Sequence, residues 1–223
     1  MAHLVHSVFH NGYHPVSDTI ITLDETQHLS NCSLYLYLFL SPLIFVDPYE
    51  LVHYEASYTF RHWGTSNLEL PIGAVSQDGS HLLLNVHRTD NKNEIHVKLP
   101  LHLRYGNLSE DQLPGYHTAD LAWPAGFFEC PLSDALSIPS SGLPRLPSEV
   151  SSLFDLQSAY FISIEHRDSG SPDLVRVPTG TLNDLAYVEF GTLFTIWAAF
   201  FYLLKSSLSA FYRINRDVLN KRD

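Results

Sequence analysis

The sequence predicts a mainly β fold: a β-sandwich-like domain followed by a single C-terminal transmembrane helix. Two observations carry that prediction. Apolar residues alternate with period two along much of the chain, and one long unbroken apolar run lies near the C-terminus. Helical periodicity is scarce before residue 185, which argues against a helical bundle. The 223 residues suit one domain of ordinary size plus an anchor. With 45% hydrophobic and 17% charged residues, the chain has enough apolar material for a core and is not disordered by composition.

The run Ser33 to Leu40, SLYLYLFL, places Leu34, Leu36, Leu38 and Leu40 on one face and Tyr35, Tyr37 and Phe39 on the other. A strand apolar on both faces belongs at the centre of a sheet. The apolar stretch continues only to Val46 and contains Pro42, too short and broken to cross a bilayer. Further strands are expected at Asp18–Leu23, Ser57–Trp63, His81–Arg88, Glu94–Tyr105, Ala159–His166 and Leu174–Val177. Turn signals at Gln77-Asp78-Gly79 and Thr89-Asp90-Asn91 separate them. Residues 131–150 are rich in Pro and Ser and read as a long loop.

Ala186 to Leu204, AYVEFGTLFTIWAAFFYLL, is apolar on every helical face apart from Glu189 and is followed by Lys205. Nineteen helical residues span about 28 Å, close to a hydrocarbon core of about 30 Å. Three regions follow: a β-rich domain at 1–184, a membrane helix at 185–204 and a tail at 205–223. The tail holds Lys205, Arg213, Arg216, Lys221 and Arg222 against Asp217 and Asp223, a local charge of +3, whereas the only basic residue of 169–184 is Arg176. That asymmetry puts the tail in the cytosol and the large domain on the luminal side. The remainder carries 8 basic and 22 acidic residues, a charge of −14 that disfavours nucleic acid.

The two cysteines, Cys32 and Cys130, lack any metal-binding spacing. In a reducing compartment they would be buried thiols; in an oxidising one they can form one bridge, and the luminal orientation selects the bridge. Asn107-Leu108-Ser109 and Asn31-Cys32-Ser33 are acceptor sequons, the first in a polar loop, the second hindered if Cys32 is bridged. The start, MAHLVHSVFHNGYHPVSD, does not read as a signal peptide. The anchor itself, or sequence upstream of this start, is then expected to direct the domain across. A cytosolic domain with a tail anchor would need no signal.

Catalytic patterns are sparse. Of the 13 histidines, His81 and His87, or His96 and His102, are six apart and would share a strand face, but no carboxylate or cysteine completes a metal set. Solvent-facing histidines are the expectation, and neither metal nor cofactor is expected. No Asp-x-Asp pair, GxSxG or phosphate-cradling glycine loop occurs. Asp47 and Glu50 are spaced to serve either as paired acid–base carboxylates or, through Asp47 before Pro48, to fix a turn.

The segment Phe45-Val46-Asp47-Pro48-Tyr49-Glu50-Leu51 resembles the motif of the PIG-X family, the stabilising subunit of glycosylphosphatidylinositol (GPI) mannosyltransferase I. Leu99-Pro100-Leu101-His102-Leu103-Arg104-Tyr105 is similar to that family's L-P-x-H-x-R-Y strand, Val177-Pro178-Thr179-Gly180 to its V-P-x-G segment, and Gly12-Tyr13-His14 to its early G-F-H. The resemblance extends from about residue 12 to the anchor. It implies a luminal domain in the endoplasmic reticulum membrane. It also implies a multi-spanning catalytic partner (PIG-M type) that adds the first mannose to the GPI precursor from dolichol-phosphate-mannose. The present chain would stabilise that enzyme without catalysing. Phe45, Asp47, Pro48, Tyr49, Glu50, His102 and Arg104 become candidates for a structural motif or partner interface. Glu189, which departs from the family's anchors, joins them. Two other readings remain: a membrane-anchored hydrolase using Asp47 and Glu50, and a tail-anchored cytosolic adaptor.

Overall fold

The alternation of the β3 strand (Ser33–Leu40) organises the domain. In the computed structural model, which describes residues 2–9, 12–23, 29, 31–65, 67–68, 70–88, 93–108, 115–132, 142–167 and 172–219, its leucines 34, 36, 38 and 40 are all but completely buried. The strand lies at the centre of a five-stranded sheet. Its order is β11 (Ala159–Ser163), β10 (Ala125–Pro131), β3, β6 (Ser80–Val86) and β5 (Tyr58–Trp63). A four-stranded sheet has the order β12 (Glu165–His166), β1 (His3–Phe9), β2 (Val16–Thr22) and β7 (Glu94–Pro100). Leu4, Ile21, Val97 and Leu99 of the smaller sheet share one hydrophobic core with Leu36, Leu38, Leu82, Leu84 and Phe128 of the larger. That is sandwich packing. Gly126 permits a close approach there: a Cβ would lie 3.0 Å from Leu4 Cδ1 and 3.2 Å from Ile164 Cδ1.

The outer face of β3 is partly covered as well, with Phe39 left exposed. Tyr35 and Tyr37 pack with Phe127, Phe154, Phe161 and Val150, the last from the short helix α2 (Ser148–Ser151). The stretch 131–150 is therefore a covering segment in its C-terminal part; residues 133–141 lie outside the described residues, as does the turn expected at Thr89-Asp90-Asn91. The turn at Gln77-Asp78-Gly79 is present, with Gly79 at φ +75° and a hypothetical Cβ only 2.5 Å from Leu40 O.

Two expectations need correction. Glu94–Tyr105 is not one strand. Residues through Pro100 pair with β2, and β8 (His102–Leu103) then pairs with β4 (Ile44–Phe45), because the chain exchanges hydrogen-bonding partners at Leu101. Strands β1, β10 and β9 (Gly115–Leu121, paired with β13, Asp173–Thr179) were not foreseen. For β9 the reason is physical: every second residue is exposed and only Leu121 is fully buried, so little apolar alternation marks it.

The chain forms two compact units, Met1–Asn107 with Tyr116–Thr179, and Leu108–Gly115 with Gly180–Asp223. The second contains α3 (Leu182–Leu219). Thr181 and Asp184 begin it: Thr181 Oγ1 donates to Asp184 Oδ2 at 2.8 Å, and Asp184 N–H donates to Thr181 O at 3.2 Å. Side chains within the apolar stretch are exposed, and the helix is long and apolar enough to cross a membrane. It does not end at Lys205. Its 38 residues correspond to about 57 Å. The hydroxyls of Thr192 and Thr195 donate to Val188 O and Gly191 O, so neither is left unpaired on the apolar surface.

Cys32 and Cys130 are joined by a disulfide. β3 and β10 are antiparallel neighbours with Ser33 opposite Glu129, so the next position outward sets Cys32 against Cys130, Cα atoms 4.3 Å apart. Arg88 braces the same end, donating to Cys32 O at 3.1 Å and to Leu29 O, with its guanidinium 5.6 Å from the Phe128 ring. The bridge closes a loop across a separation of 98 residues, for which chain entropy predicts about 4–5 kcal/mol. Alkylation of the unfolded, non-reduced protein should leave both cysteines unmodified, and Cys130→Ser should lower the thermal midpoint by several degrees. Free thiols in most molecules would contradict the bridge.

Candidate functional site

Three segments far apart in sequence are spliced together by main-chain hydrogen bonds. Leu101 N–H donates to Pro15 O at 2.9 Å and Leu103 N–H to Tyr13 O at 3.0 Å. On the other side Phe45 lies opposite His102 and Ile44 opposite Leu103, and Arg104 N–H donates to Leu43 O at 2.8 Å. A fourth segment joins through Tyr13, whose hydroxyl donates to Pro178 O at 2.9 Å. The residues at 12–15, 43–51, 99–105 and 177–178 thus form one node.

Local chemistry shapes the middle segment. Asp47 is extended, and its Oδ1 accepts the Tyr49 N–H at 2.8 Å, capping helix α1 (Pro48–Leu51). Pro48 occupies the first turn, where its missing N–H leaves nothing unsatisfied. Val46 and Leu51 are completely buried and hold the turn to the core, while Tyr49 is 81% exposed.

Side chains stack across the splice. The His102 ring lies against Phe45 with centroids 5.3 Å apart, and the Arg104 guanidinium sits 4.4 Å from the Phe45 centroid. Arg104 is nearly fully buried and donates to Asn67 O at 2.6 Å and Leu70 O at 2.9 Å. Burial lowers its pKa, from a value so high that it stays charged. Glu50 Oε2 lies 2.7 Å from His102 Nε2. A carboxylate only accepts, so Nε2 carries the proton and Nδ1 is left facing His14 Nδ1 at 3.0 Å. Tyr13, His14, Phe45, His102, Arg104 and Tyr105 line a cleft of about 200 Å³ beside these groups.

Asp47 and Glu50 therefore have different partners, a main-chain N–H and an imidazole. Of the histidines spaced six apart, which the sequence reading sets aside as ligands, His81, His96 and His102 have separate partners. His81 Nδ1 bonds to the Tyr37 hydroxyl at 2.8 Å, His96 to Glu94 at 2.6 Å, and His102 to Glu50 and His14. Among the described residues no group of three or more His, Cys, Asp or Glu side chains could hold a metal ion. Asn107 is exposed, with Ser109 outside the described residues; Asn31 is exposed in the turn beside bridged, buried Cys32. Glu189 is exposed on α3, in the other unit. Sequence reasoning missed the pairing of His14 with His102. It also missed the roles of Asn67 and Leu70, which contribute carbonyls alone and leave no side-chain signal. A larger cleft of about 330 Å³ lies among Tyr35, Arg61, Asn85 and Glu129. There burial, and next the Glu129 charge, push the Tyr35 pKa up to about 12.

Residues 10–208 match the family described as PIG-X / PBN1. The chain belongs to the PIG-X/PBN1 family. All four segments of the node fall within that match. Protein PBN1 of Debaryomyces hansenii is 33% identical over 136 residues, which is 59% of this chain and 28% of the relative. Protein pbn1 of Aspergillus oryzae is 28% identical over 184 residues, 75% of this chain and 33% of the relative. The Schizosaccharomyces pombe protein is 25% identical over 182 residues, 78% and 50% respectively. The chain thus spans half or less of the length of these PIG-X/PBN1 relatives. No solved structure matches it.

Removing the Arg104 guanidinium leaves two carbonyls and one aromatic face without their donor. Arg104→Ala should cost about 2–4 kcal/mol, seen as a fall in thermal midpoint, and Arg104→Lys should recover only part because an ammonium cannot lay a planar group on Phe45 while reaching both carbonyls. Arg145→Ala, at an exposed position, should change stability by less than about 0.5 kcal/mol. Equal effects at 104 and 145 would contradict the clamp.

Proposed function

We propose that this chain is the non-catalytic, stabilising subunit of GPI mannosyltransferase I. It supports a multi-spanning catalytic subunit that adds the first mannose to the GPI precursor from dolichol-phosphate-mannose. Membership of the PIG-X/PBN1 family carries this reading. The node supports it chemically: the ionisable groups of the family motifs are engaged with the fold itself, Asp47 in a helix cap, Glu50 on His102 and Arg104 on carbonyls. Such groups hold a shape for a partner to recognise. Tyr49 and Tyr105, 81% and 71% exposed, are the apolar side chains the node offers outward.

In this reading residues 1–184 are luminal, 185–204 span the endoplasmic reticulum membrane and 205–223 are cytosolic. The basic tail, the exposed Asn107 sequon and the disulfide all favour that orientation. Asn107, and Asn31 where the neighbouring bridge permits, would carry N-glycans; a glycosidase-sensitive mass shift lost in Asn107→Gln supports the orientation and excludes a cytosolic adaptor.

Asp47→Ala and Glu50→Ala discriminate a stabilising subunit from a hydrolase. Each removes a cap or a hydrogen-bond partner worth about 1–2 kcal/mol, so the amount of co-purifying catalytic subunit should fall while mannose transfer per remaining complex stays nearly constant. A catalytic carboxylate would instead leave the complex intact and lower turnover about 10²-fold or more. Measuring complex abundance and mannose transfer in the same membranes separates the two. A normal amount of complex with transfer abolished would overturn the proposal.

A further inference from the structure

His14 and His102 meet from positions 88 residues apart, through a hydrogen bond between two nitrogens that are also metal ligands by type. The two Nδ1 atoms are 3.0 Å apart, with the rings nearly perpendicular at 89°. The Glu50 carboxylate accepts from Nε2 of His102 at 2.7 Å, which fixes the tautomer and leaves the Nδ1 lone pair to accept the His14 Nδ1–H. A carboxylate behind a histidine, setting its tautomer and raising its basicity, is the usual outer shell of a histidine metal ligand. The ligand ring is also held in place. Phe45 stacks on it and Arg104 clamps Phe45, so the His102 imidazole is ordered before any ion arrives. His14 is exposed, which leaves the far side of the pair open to water.

We propose that His14 Nδ1 and His102 Nδ1 chelate a first-row divalent cation such as Zn²⁺, which displaces the proton of their hydrogen bond, the His14 ring taking its neutral form with the proton on Nε2; Glu50 is the outer-shell partner and water completes the coordination. Two nitrogens at the observed 3.0 Å, each about 2.1 Å from a shared ion, subtend about 90° there, the cis angle of an octahedral or square site. A tetrahedral ion needs the pair opened by a few tenths of an ångström, which the exposed His14 ring allows. Imidazole donors select borderline ions of this kind over Mg²⁺ or Ca²⁺. The absence of a third protein ligand among the described residues makes this an open, exchangeable site and not a closed structural one. It stands independently of the mannosyltransferase reading, since neither a partner nor a substrate enters it.

The test is a Zn²⁺ titration of the purified full chain in detergent, carrying a histidine-free affinity tag, against a chromophoric competitor. Thermal midpoints verify that each variant is folded. Wild type should bind one equivalent that both His14→Ala and His102→Ala lose. Glu50→Gln should keep the equivalent with affinity lowered about 10- to 100-fold, the effect of an outer-shell partner. The exposed position of His14 makes His14→Ala the decisive variant, because it leaves the core untouched. If folded His14→Ala binds Zn²⁺ as tightly as wild type, the ion sits on another of the histidines and the site is refuted. If wild type binds no equivalent, the pair is only a hydrogen bond between two imidazoles and the proposal likewise fails.

Discussion

A guanidinium buried in a β-domain must find donors' partners or it destabilises what surrounds it, by several kcal/mol. Arg104 finds them in the carbonyls of Asn67 and Leu70 and in the face of Phe45, while its own N–H is bonded to Leu43 O. Three places are thereby fixed relative to one another: the carbonyls of Asn67 and Leu70, the short strand before Asp47 and the short strand after Pro100. The stacking of Phe45 on His102, the reach of Glu50 to that imidazole and the seating of His14 against it all follow from that placement. Had the chain continued past Pro100 along its first partner strand, Arg104 would not face Leu43. The exchange of partners at Leu101 is the backbone event that makes the node.

The sandwich supplies the rigid support. Leucines of the central strand are buried from one side and its tyrosines are covered from the other, so the sheet has little freedom to shear. The disulfide locks that strand to its neighbour at the end where Arg88 also binds. Stability is thus concentrated in the sheets, and the node spends the geometry they fix on positioning a few ionisable groups. Membership of the PIG-X/PBN1 family gives those groups a setting, and each of them is engaged with the fold itself.

Much of this was legible in the residues. The two-faced apolarity of SLYLYLFL is an unambiguous signal of a central strand, and the apolar run ending in a basic tail is an equally plain signal of a membrane helix. Asp47 before Pro48 could be read as a cap or as an acid, and the hydrogen bond to Tyr49 N–H decides the local geometry. Other features carried no one-dimensional signal. Strand β9 is half-wet, β1 was weighed only as a leader, and the break at Leu101 depends on main-chain partners supplied by residues 13–15. The pairing of His14 with His102 is a tertiary fact, as is the anchoring of Arg104 on two carbonyls. The apolar run ends before Lys205, yet nothing in SSLSAFYRINRD breaks a helix, and α3 itself continues to Leu219.

The central claim is that the segments at 12–15, 43–47 and 99–105 form one cooperative unit held by the partner exchange at Leu101 and the Arg104 clamp. Amide hydrogen exchange read by mass spectrometry on the full chain tests it most directly, through the Leu101, Leu103 and Arg104 amides that donate across the splice. The expected result is strong and closely matched protection of peptides covering all three segments, lost together in a single opening step. Exchange of the 99–105 amides as fast as the exposed turn at Gln77-Asp78-Gly79, or independently of the other two segments, would contradict it.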